Sequence, residues 1–371
     1  MGIEGVVIIG TGFMGPAHTE ALRRLGLPVK GILGSSSVKT EETRAALGLA
    51  TAYTTFDEVL ADPEVTAVHL CVPNHLHFDM ARRALLAGKH VMCEKPLAMD
   101  SRETSELVAL AEETGLAAGV CYNLRFYPLN IQARDMVSSG EVGRLFHING
   151  SYVQDWLLYE TDFDWRLQAA RGGPLRAVGD IGTHWMDMVS MITGLEVDAV
   201  FADLARFYQQ RKTTGEADGV DIDTEDYGAI LFRFEGGATG SLHVSQMVAG
   251  RKNALRYEIA GAEKALAWNS ERPNELWIGQ RGAPNQTLIK DPALMSGGAS
   301  AVASYPAGHS EGYPDTFKQC FKTFYDYIAA GDPSAPKAFP TFADGHREIL
   351  LCEAIMKSSQ QEQWVKIEGS V

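Results

Sequence analysis

Through the first third of the chain, short apolar runs alternate with amphipathic stretches whose apolar positions return with a helical period. Strand candidates fall at residues 5–9, 29–33, 67–71, 90–93 and 117–121. Helical stretches lie between them, near 15–25, 39–46, 56–61, 75–87 and 101–114. Asp57-Glu58, and Ser101 followed by Glu103 and Thr104, supply the caps and acids that open helices. Gly88 and Gly115 stand where a helix C-terminus favours glycine. This alternation predicts a parallel, doubly wound sheet, an α/β arrangement.

From about residue 122 the pattern changes. A helix near 128–139 is followed by longer alternating stretches at 143–154, 196–210, 225–235, 238–249, 254–260 and 264–268. Tyr227, Ile230, Phe232 and Phe234 intermix with polar positions in a period of two, the mark of a half-exposed antiparallel sheet. A helix at 180–192 interrupts the strands, and helices near 315–330 and 343–357 close the chain. The Gly/Ser/Ala-rich segment 296–304 reads as a loop. These patterns divide the chain into domains at 1–121 and 122–371, the second of α+β type. An open sheet with apolar positions on its outer face needs covering, and a second copy of the chain is the simplest cover. A homodimer or homotetramer through this sheet is therefore expected.

Length agrees with two domains, since 371 residues are long for one core. A net charge of -14 without any basic block argues against a nucleic-acid partner, which would need clustered Lys and Arg. No apolar segment approaches the roughly 20 residues that cross a bilayer, so no membrane partner is expected. The N-terminus enters the first strand at once, without a signal-peptide pattern. Cys71, Cys93, Cys121, Cys320 and Cys352 are widely spaced and read as buried reduced thiols, and the expected location is the cytoplasm.

The most specific chemistry lies between Gly5 and His18. The run Val6-Val7-Ile8-Ile9 leads into Gly10-Thr11-Gly12-Phe13-Met14-Gly15 and then a helix, the order of a dinucleotide-binding strand–turn–helix. Gly10 permits the tight turn, Gly12 lets the backbone approach a pyrophosphate, and Gly15 lets helix pack on strand. Two further segments fall at carboxyl ends of predicted parallel strands, where such folds bind ligands. Val72, Pro73 and Asn74 follow the third strand, with His77 just beyond, and Glu94-Lys95-Pro96 follows the fourth. Lys95 offers a cation beside a cleft, although a solvated loop lysine is the plainer reading. Pro96 suggests a rigid turn with a cis bond.

A second focus is Gly172–His184. Asp180 and His184 are spaced i,i+4 and share a face if helix begins here, with Asp187 one turn on. Histidine suits proton removal from an alcohol near neutral pH, and a carboxylate can orient it. The competing readings are a helix-capping Asp180 with a packed His184, and a metal site from Asp180, His184 and Asp187. No further His/Cys cluster supports a metal, and none is expected.

Taken together, GTGFMG at 10–15, EKP at 94–96 and GDIGTH at 179–184 resemble the Gfo/Idh/MocA oxidoreductases, from Gly5 to about Phe324. The resemblance implies an N-terminal Rossmann domain and a C-terminal domain on a large, mostly antiparallel open sheet. It also implies hydride transfer between a nicotinamide and a secondary alcohol of a sugar, inositol or related polyol. Lys95, Asp180 and His184 correspond to the family's catalytic lysine, aspartate and histidine. Asn123 and Arg125 match a stretch facing the cleft, and Trp165-Arg166 a pair close to cofactor or substrate. For Trp165, core packing is the other reading.

The substrate is less sharply marked. Trp156 and Tyr159 offer aromatic faces for sugar C–H groups, and His309 in Gly308–Tyr313 can bond hydroxyls. That last stretch resembles sugar and glycoside dehydrogenases of the family, including those acting on levoglucosan. The running alternatives are a keto- or anhydro-sugar reductase and a non-catalytic nucleotide-binding sensor. The cofactor pattern departs from the usual one: the second strand ends in Gly34-Ser35-Ser36-Ser37, with Lys39 the first charge and no acid to grip a ribose. Ser35, Ser36 and Lys39 are the candidate ribose contacts. NAD is expected, with NADP the open alternative.

Overall fold

The computed structural model describes residues 3–213 and 216–368. The chain forms two compact units: one runs to Asn123 and includes Tyr313–Ile349, the other spans Leu124–Gly312 and the chain from Leu350.

In the first unit six parallel strands form one sheet: β1 (Val6–Ile9), β2 (Val29–Leu33), β3 (Thr51–Ala52), β4 (Ala67–Leu70), β5 (His90–Cys93) and β6 (Ala118–Val120). Their order is β3-β2-β1-β4-β5-β6. Every residue of β1 and β4 is buried, so helices must cover both faces. Strand order reverses between β1 and β4, which opens a crevice at their carboxyl ends. The covering helices start on local signals. Thr55 and Glu58 form a capping box at Phe56–Ala61, and Asp100 caps Ser101–Thr114 by accepting from Glu103 N at 2.8 Å. Gly115 ends the latter in the left-handed conformation.

The helix Tyr313–Ala330 returns to this unit. Its Phe317 and Phe321 rings lie 5.5 and 4.6 Å from that of His18, and Tyr325 stacks on His69. Val120 N then donates to Pro340 O at 2.9 Å, tying the following segment to the edge of β6. The two units thus differ from a continuous division at 121/122. The reason is apolar: Phe317, Phe321 and Phe324 are buried in the first unit.

The second unit carries a nine-stranded sheet and a separate hairpin. Its strands are β7 (Leu145–Val153), β8 (Val197–Ala205), β9 (Gln210–Thr213), β10 (Glu216–Asp221), β11 (Tyr227–Phe234), β12 (Thr239–Ser245), β13 (Ala254–Gly261), β14 (Ala265–Asn269), β15 (Glu275–Gly279), β16 (Gln286–Ile289) and β17 (Val365–Lys366). The sheet order is β16-β15-β14-β13-β7-β12-β11-β8-β17, antiparallel except for the β7/β12 pair, while β9 and β10 pair with each other. Ile230, Phe232 and Phe234 are buried on one face of β11; Tyr227, an odd position, points with Leu231 to the other face, correcting its grouping with them. Helices Pro128–Ser138 and Thr183–Thr193 lie over the inner face. There the Trp185 indole donates to Arg256 O at 2.9 Å, directly over Gly150, where a Cβ would come within 2.1 Å of the indole nitrogen. The expected strand 196–210 breaks before the hairpin, and the expected loop 296–304 contains a short helix, Gly297–Val302, capped by Ser296. All five cysteines are free, with Cys71 and Cys352 partly exposed. Among the described residues no helix is long and apolar enough to cross a membrane.

Candidate functional site

In the first unit the glycine turn sits at the carboxyl end of β1. Gly10 has φ +126°, and a Cβ there would lie 2.1 Å from Cys71 O. A Cβ on Gly15 would lie 2.2 Å from Gly10 O. Both glycines are required by the protein's own packing. Gly12 is different: a Cβ there meets nothing within 4 Å. The helix Met14–Arg24 starts here with no acid in its first turn, and Phe13 before it is 74% exposed. Its N-terminus therefore offers unopposed positive partial charge beside open space.

The other loops at this end of the sheet are tied by backbone-directed side chains. Ser35 and Ser36 are exposed after β2, and the Ser36 hydroxyl accepts from Lys39 N at 3.3 Å as a helix cap. Val72 and Pro73 follow β4, and Asn74 opens a short 3-10 turn. His77 is buried, with its ring nitrogens 2.7 Å from Pro96 O and 2.9 Å from Val72 O. It braces the two loops, so its place among the cofactor contacts gives way to a main-chain role. Lys95 is partly exposed, and the peptide bond to Pro96 is cis. Glu94 is buried, its Oε1 2.9 Å from His18 Nε2. Burial pushes its carboxyl up, but the His18 hydrogen bond, the attraction of His18 and then that of Lys95 outweigh it and hold the carboxyl at about 2. Asn123 is likewise buried, donating to Thr316 Oγ1 at 2.7 Å.

In the second unit Val178–Gly182 forms a π-helical turn that runs directly into the α-helix Thr183–Thr193. Asp180 is thus within the helical path, its N–H bonded to Arg176 O at 2.7 Å, and it is not the helix cap. A π-turn widens the helix locally, a distortion common at functional sites. Asp180 Oδ2 accepts from Gln246 Nε2 at 2.9 Å, and Oδ1 lies 3.6 Å from Arg166 Nε. The Arg166 guanidinium in turn lies over the Trp165 ring at 4.4 Å. His184 is 8% exposed, its ring 6.4 Å from that of Tyr152. The Trp156 indole donates to Gln154 Oε1 at 2.8 Å, an oxygen that Gln246 also reaches at 3.5 Å. Asp180, Arg166, Trp165 and Trp156, at least partly exposed, therefore form one polar neighbourhood around the buried Gln246.

Two further candidates have partners of their own. Arg125 forks onto the buried Asp187 carboxylate, with Nε to Oδ2 at 2.7 Å and the second bond to Oδ1. This anchors the start of the second unit and commits the third acid of the Asp180/His184/Asp187 metal reading to a guanidinium. His309 is exposed on a loop and bonds Ala307 O at 3.1 Å. That loop is clamped at its base by the buried Lys290–Glu311 pair at 3.0 Å.

Sequence reading missed the supports of the π-turn. Glu225 is buried and accepts from Arg176 N and Val178 N, both at 2.8 Å, while burial pushes its carboxyl up. Arg176 is buried, bonds Gln246 Oε1 at 2.6 Å and pairs with Asp226, which also takes Arg211 at 3.1 Å. The Glu225-Asp226 doublet between two strands was the available signal.

The sequence matches the model described as "Oxidoreductase family, NAD-binding Rossmann fold" over residues 5–122 and the "GFO/IDH/MocA C-terminal domain" over 130–267. It is 30% identical to a levoglucosan dehydrogenase of Pseudarthrobacter phenanthrenivorans, over 98% of this chain and 97% of that protein. The chain belongs to the Gfo/Idh/MocA family. Another relative is a myo-inositol 2-dehydrogenase of Thermotoga maritima, 25% identical over 97% of this chain and 98% of that one. A solved structure of levoglucosan dehydrogenase with NADH and levoglucosan superposes with a TM-score of 0.91, at 30% identity and 99% coverage of both chains. As a Gfo/Idh/MocA member the protein is an NAD-dependent oxidoreductase with a Rossmann domain. The first unit fits the dinucleotide on its own geometry: the space over Gly12 and the acid-free helix start admit a pyrophosphate.

Proposed function

We propose that this enzyme oxidises a secondary alcohol on a sugar, anhydro-sugar or polyol of the levoglucosan type, with NAD as hydride acceptor. The full-length likeness to levoglucosan dehydrogenase carries this reading, and Lys95, Asp180 and His184 are this chain's own candidates for the chemistry. His184 takes the hydroxyl proton as the carbinol C–H passes its hydride to the nicotinamide, when that group is bound. Lys95 donates a hydrogen bond to the reacting oxygen. Asp180, held by Gln246 and faced by Arg166, orients the substrate and sets the local charge. Trp165-Arg166 and Trp156 line the substrate's approach, and Gly10, Gly12, Phe13, Met14, Gly15, Ser35 and Ser36 form the dinucleotide cradle. Run backwards, the same groups reduce the ketone.

The test is absorbance at 340 nm with NAD and with NADP against levoglucosan, glucose, inositols and simple glycosides. NAD reduction is expected with at least one of them, and His184→Ala should cut turnover about 10²–10⁴-fold while NADH still binds. NADH binding without hydride transfer on any of these substrates would sink the reading. A second copy of the chain is proposed to cover the outer face of the nine-stranded sheet, where Leu231, Trp277 and Ile289 stand exposed. Sedimentation at micromolar concentration should give a dimer or tetramer, and a monomer would exclude it.

A further inference from the structure

Beneath the first sheet runs a buried line of side chains that ends beside Lys95. Tyr325 Oη lies 2.9 Å from His69 Nε2, His69 Nδ1 lies 2.9 Å from His18 Nδ1, and His18 Nε2 lies 2.9 Å from Glu94 Oε1. The four groups come from four elements: the returning helix, β4, the helix that follows the glycine turn, and the end of β5. Both histidines are fully buried. The other carboxylate oxygen, Glu94 Oε2, accepts the Lys95 backbone N–H at 3.3 Å.

Hydrogen-bond bookkeeping fixes one end of this line. Glu94 is ionised and can only accept, so His18 Nε2 carries a hydrogen. Cys71 Sγ also lies 3.3 Å from His18 Nδ1, and burial keeps Cys71 a thiol. Burial lowers the His69 pKa, so that ring is neutral, bonding His18 through Nδ1 and the Tyr325 hydroxyl through Nε2. The carboxylate is clamped between the His18 ring and the Lys95 backbone.

We propose that Tyr325, His69 and His18 are positioning residues for Lys95: their hydrogen-bond line locks the Glu94 carboxylate, which fixes the main chain that presents the lysine. This rests on the catalytic role given to Lys95 above. His18, Glu94 and Cys121 also bring ligand atoms within 4.8 Å of one another, a spacing open to a metal ion. Two tetrahedral ligands at the usual bond lengths would stand about 3.3 Å apart. The 2.9 Å between His18 Nε2 and Glu94 Oε1 is instead a direct hydrogen bond.

The experiment uses the full chain as wild type, His18→Asn, Tyr325→Phe, Lys95→Met and the two double variants with Lys95→Met. Kinetics are read with NAD and levoglucosan, and NADH affinity by fluorescence. His18→Asn should lower kcat about 10–100-fold and the isosteric Tyr325→Phe less, each with NADH affinity within about threefold of wild type. In the Lys95→Met background neither should lower kcat further, whereas a merely structural role would add its own loss. Nitrogen-15 NMR of labelled histidine should show His18 protonated at Nε2. Additive kinetic losses, a His18 Nε2 without its hydrogen, or a stoichiometric metal ion that reorders the histidine signals on chelation would overturn the inference. If Lys95→Met keeps full turnover, the role of Lys95 itself fails, a separate outcome.

Discussion

Three glycines of one turn show how a single residue separates folding from function. Gly10 and Gly15 each leave a neighbouring backbone oxygen no room for a methyl group, at 2.1 and 2.2 Å. Gly10 also holds a φ that L residues rarely adopt. Gly12 has neither constraint, so the protein alone gives no reason for a glycine there. Gly12→Ala should leave the urea midpoint unchanged and weaken NADH binding at least about tenfold, because the methyl group would stand where the pyrophosphate approaches. Gly10→Ala should instead lower stability by about 2 kcal/mol or more, through backbone strain and the clash together. Equal NADH affinity for wild type and Gly12→Ala would place the dinucleotide elsewhere. The motif GTGFMG was legible as a pattern, but only the space around each glycine separates the two that serve the fold from the one that serves a ligand. His77 was less legible. A histidine near a strand end is a fair ligand candidate by type, and nothing in the sequence tells that two carbonyls already face its ring.

At the level of elements, the expected parallel strands match the observed ones to within a residue or two, because each is a short, largely apolar run, buried throughout in β1, β4 and β6. The elements that escaped notice are those with weak patterns. β10 reads Glu-Ala-Asp-Gly-Val-Asp, β15 and β16 are four or five residues each, and β3 is two. Such strands form because a neighbour offers a hydrogen-bonding edge, which local sequence does not record. The π-turn is similar: Asp180 and His184 were readable as an i,i+4 pair, yet what bends the chain there is Glu225, 45 residues further on. An amide has one acceptor where the carboxylate has two, so Glu225→Gln leaves one of the Arg176 and Val178 N–H groups facing an NH₂. The loss should be about 1–3 kcal/mol in denaturant titrations. Turnover should fall as well, since the turn carries Asp180, while NADH binding on the first unit should hold. Unaltered turnover at full folding would mean that Asp180 does not depend on this carboxylate.

For the molecule as a whole, the division of the chain is the feature that sequence concealed. The helix near 315–330 was evident from its apolar stripe, but a stripe says that a face is buried and not which unit buries it. Phe317, Phe321 and Tyr325 turn out to close the nucleotide-binding unit against His18 and His69, nearly two hundred residues after that unit's first segment ends at Asn123. The two family matches, at 5–122 and 130–267, stop short of this return. A chain ended after Gly312 keeps the glycine turn, all six parallel strands and Lys95. It loses the aromatic cover of two buried histidines and the Pro340 carbonyl that extends β6. Removing several large aromatic side chains from a core costs about 3–5 kcal/mol for each of them. That sum rivals the whole stability of a domain. The truncated chain should therefore lose NADH binding and expose apolar surface to a dye, although every residue of the dinucleotide motif is present. Retained NADH affinity after the truncation would show that residues up to Asn123 fold without the returning helix, and that the aromatic cluster is an addition to this unit and not part of its foundation.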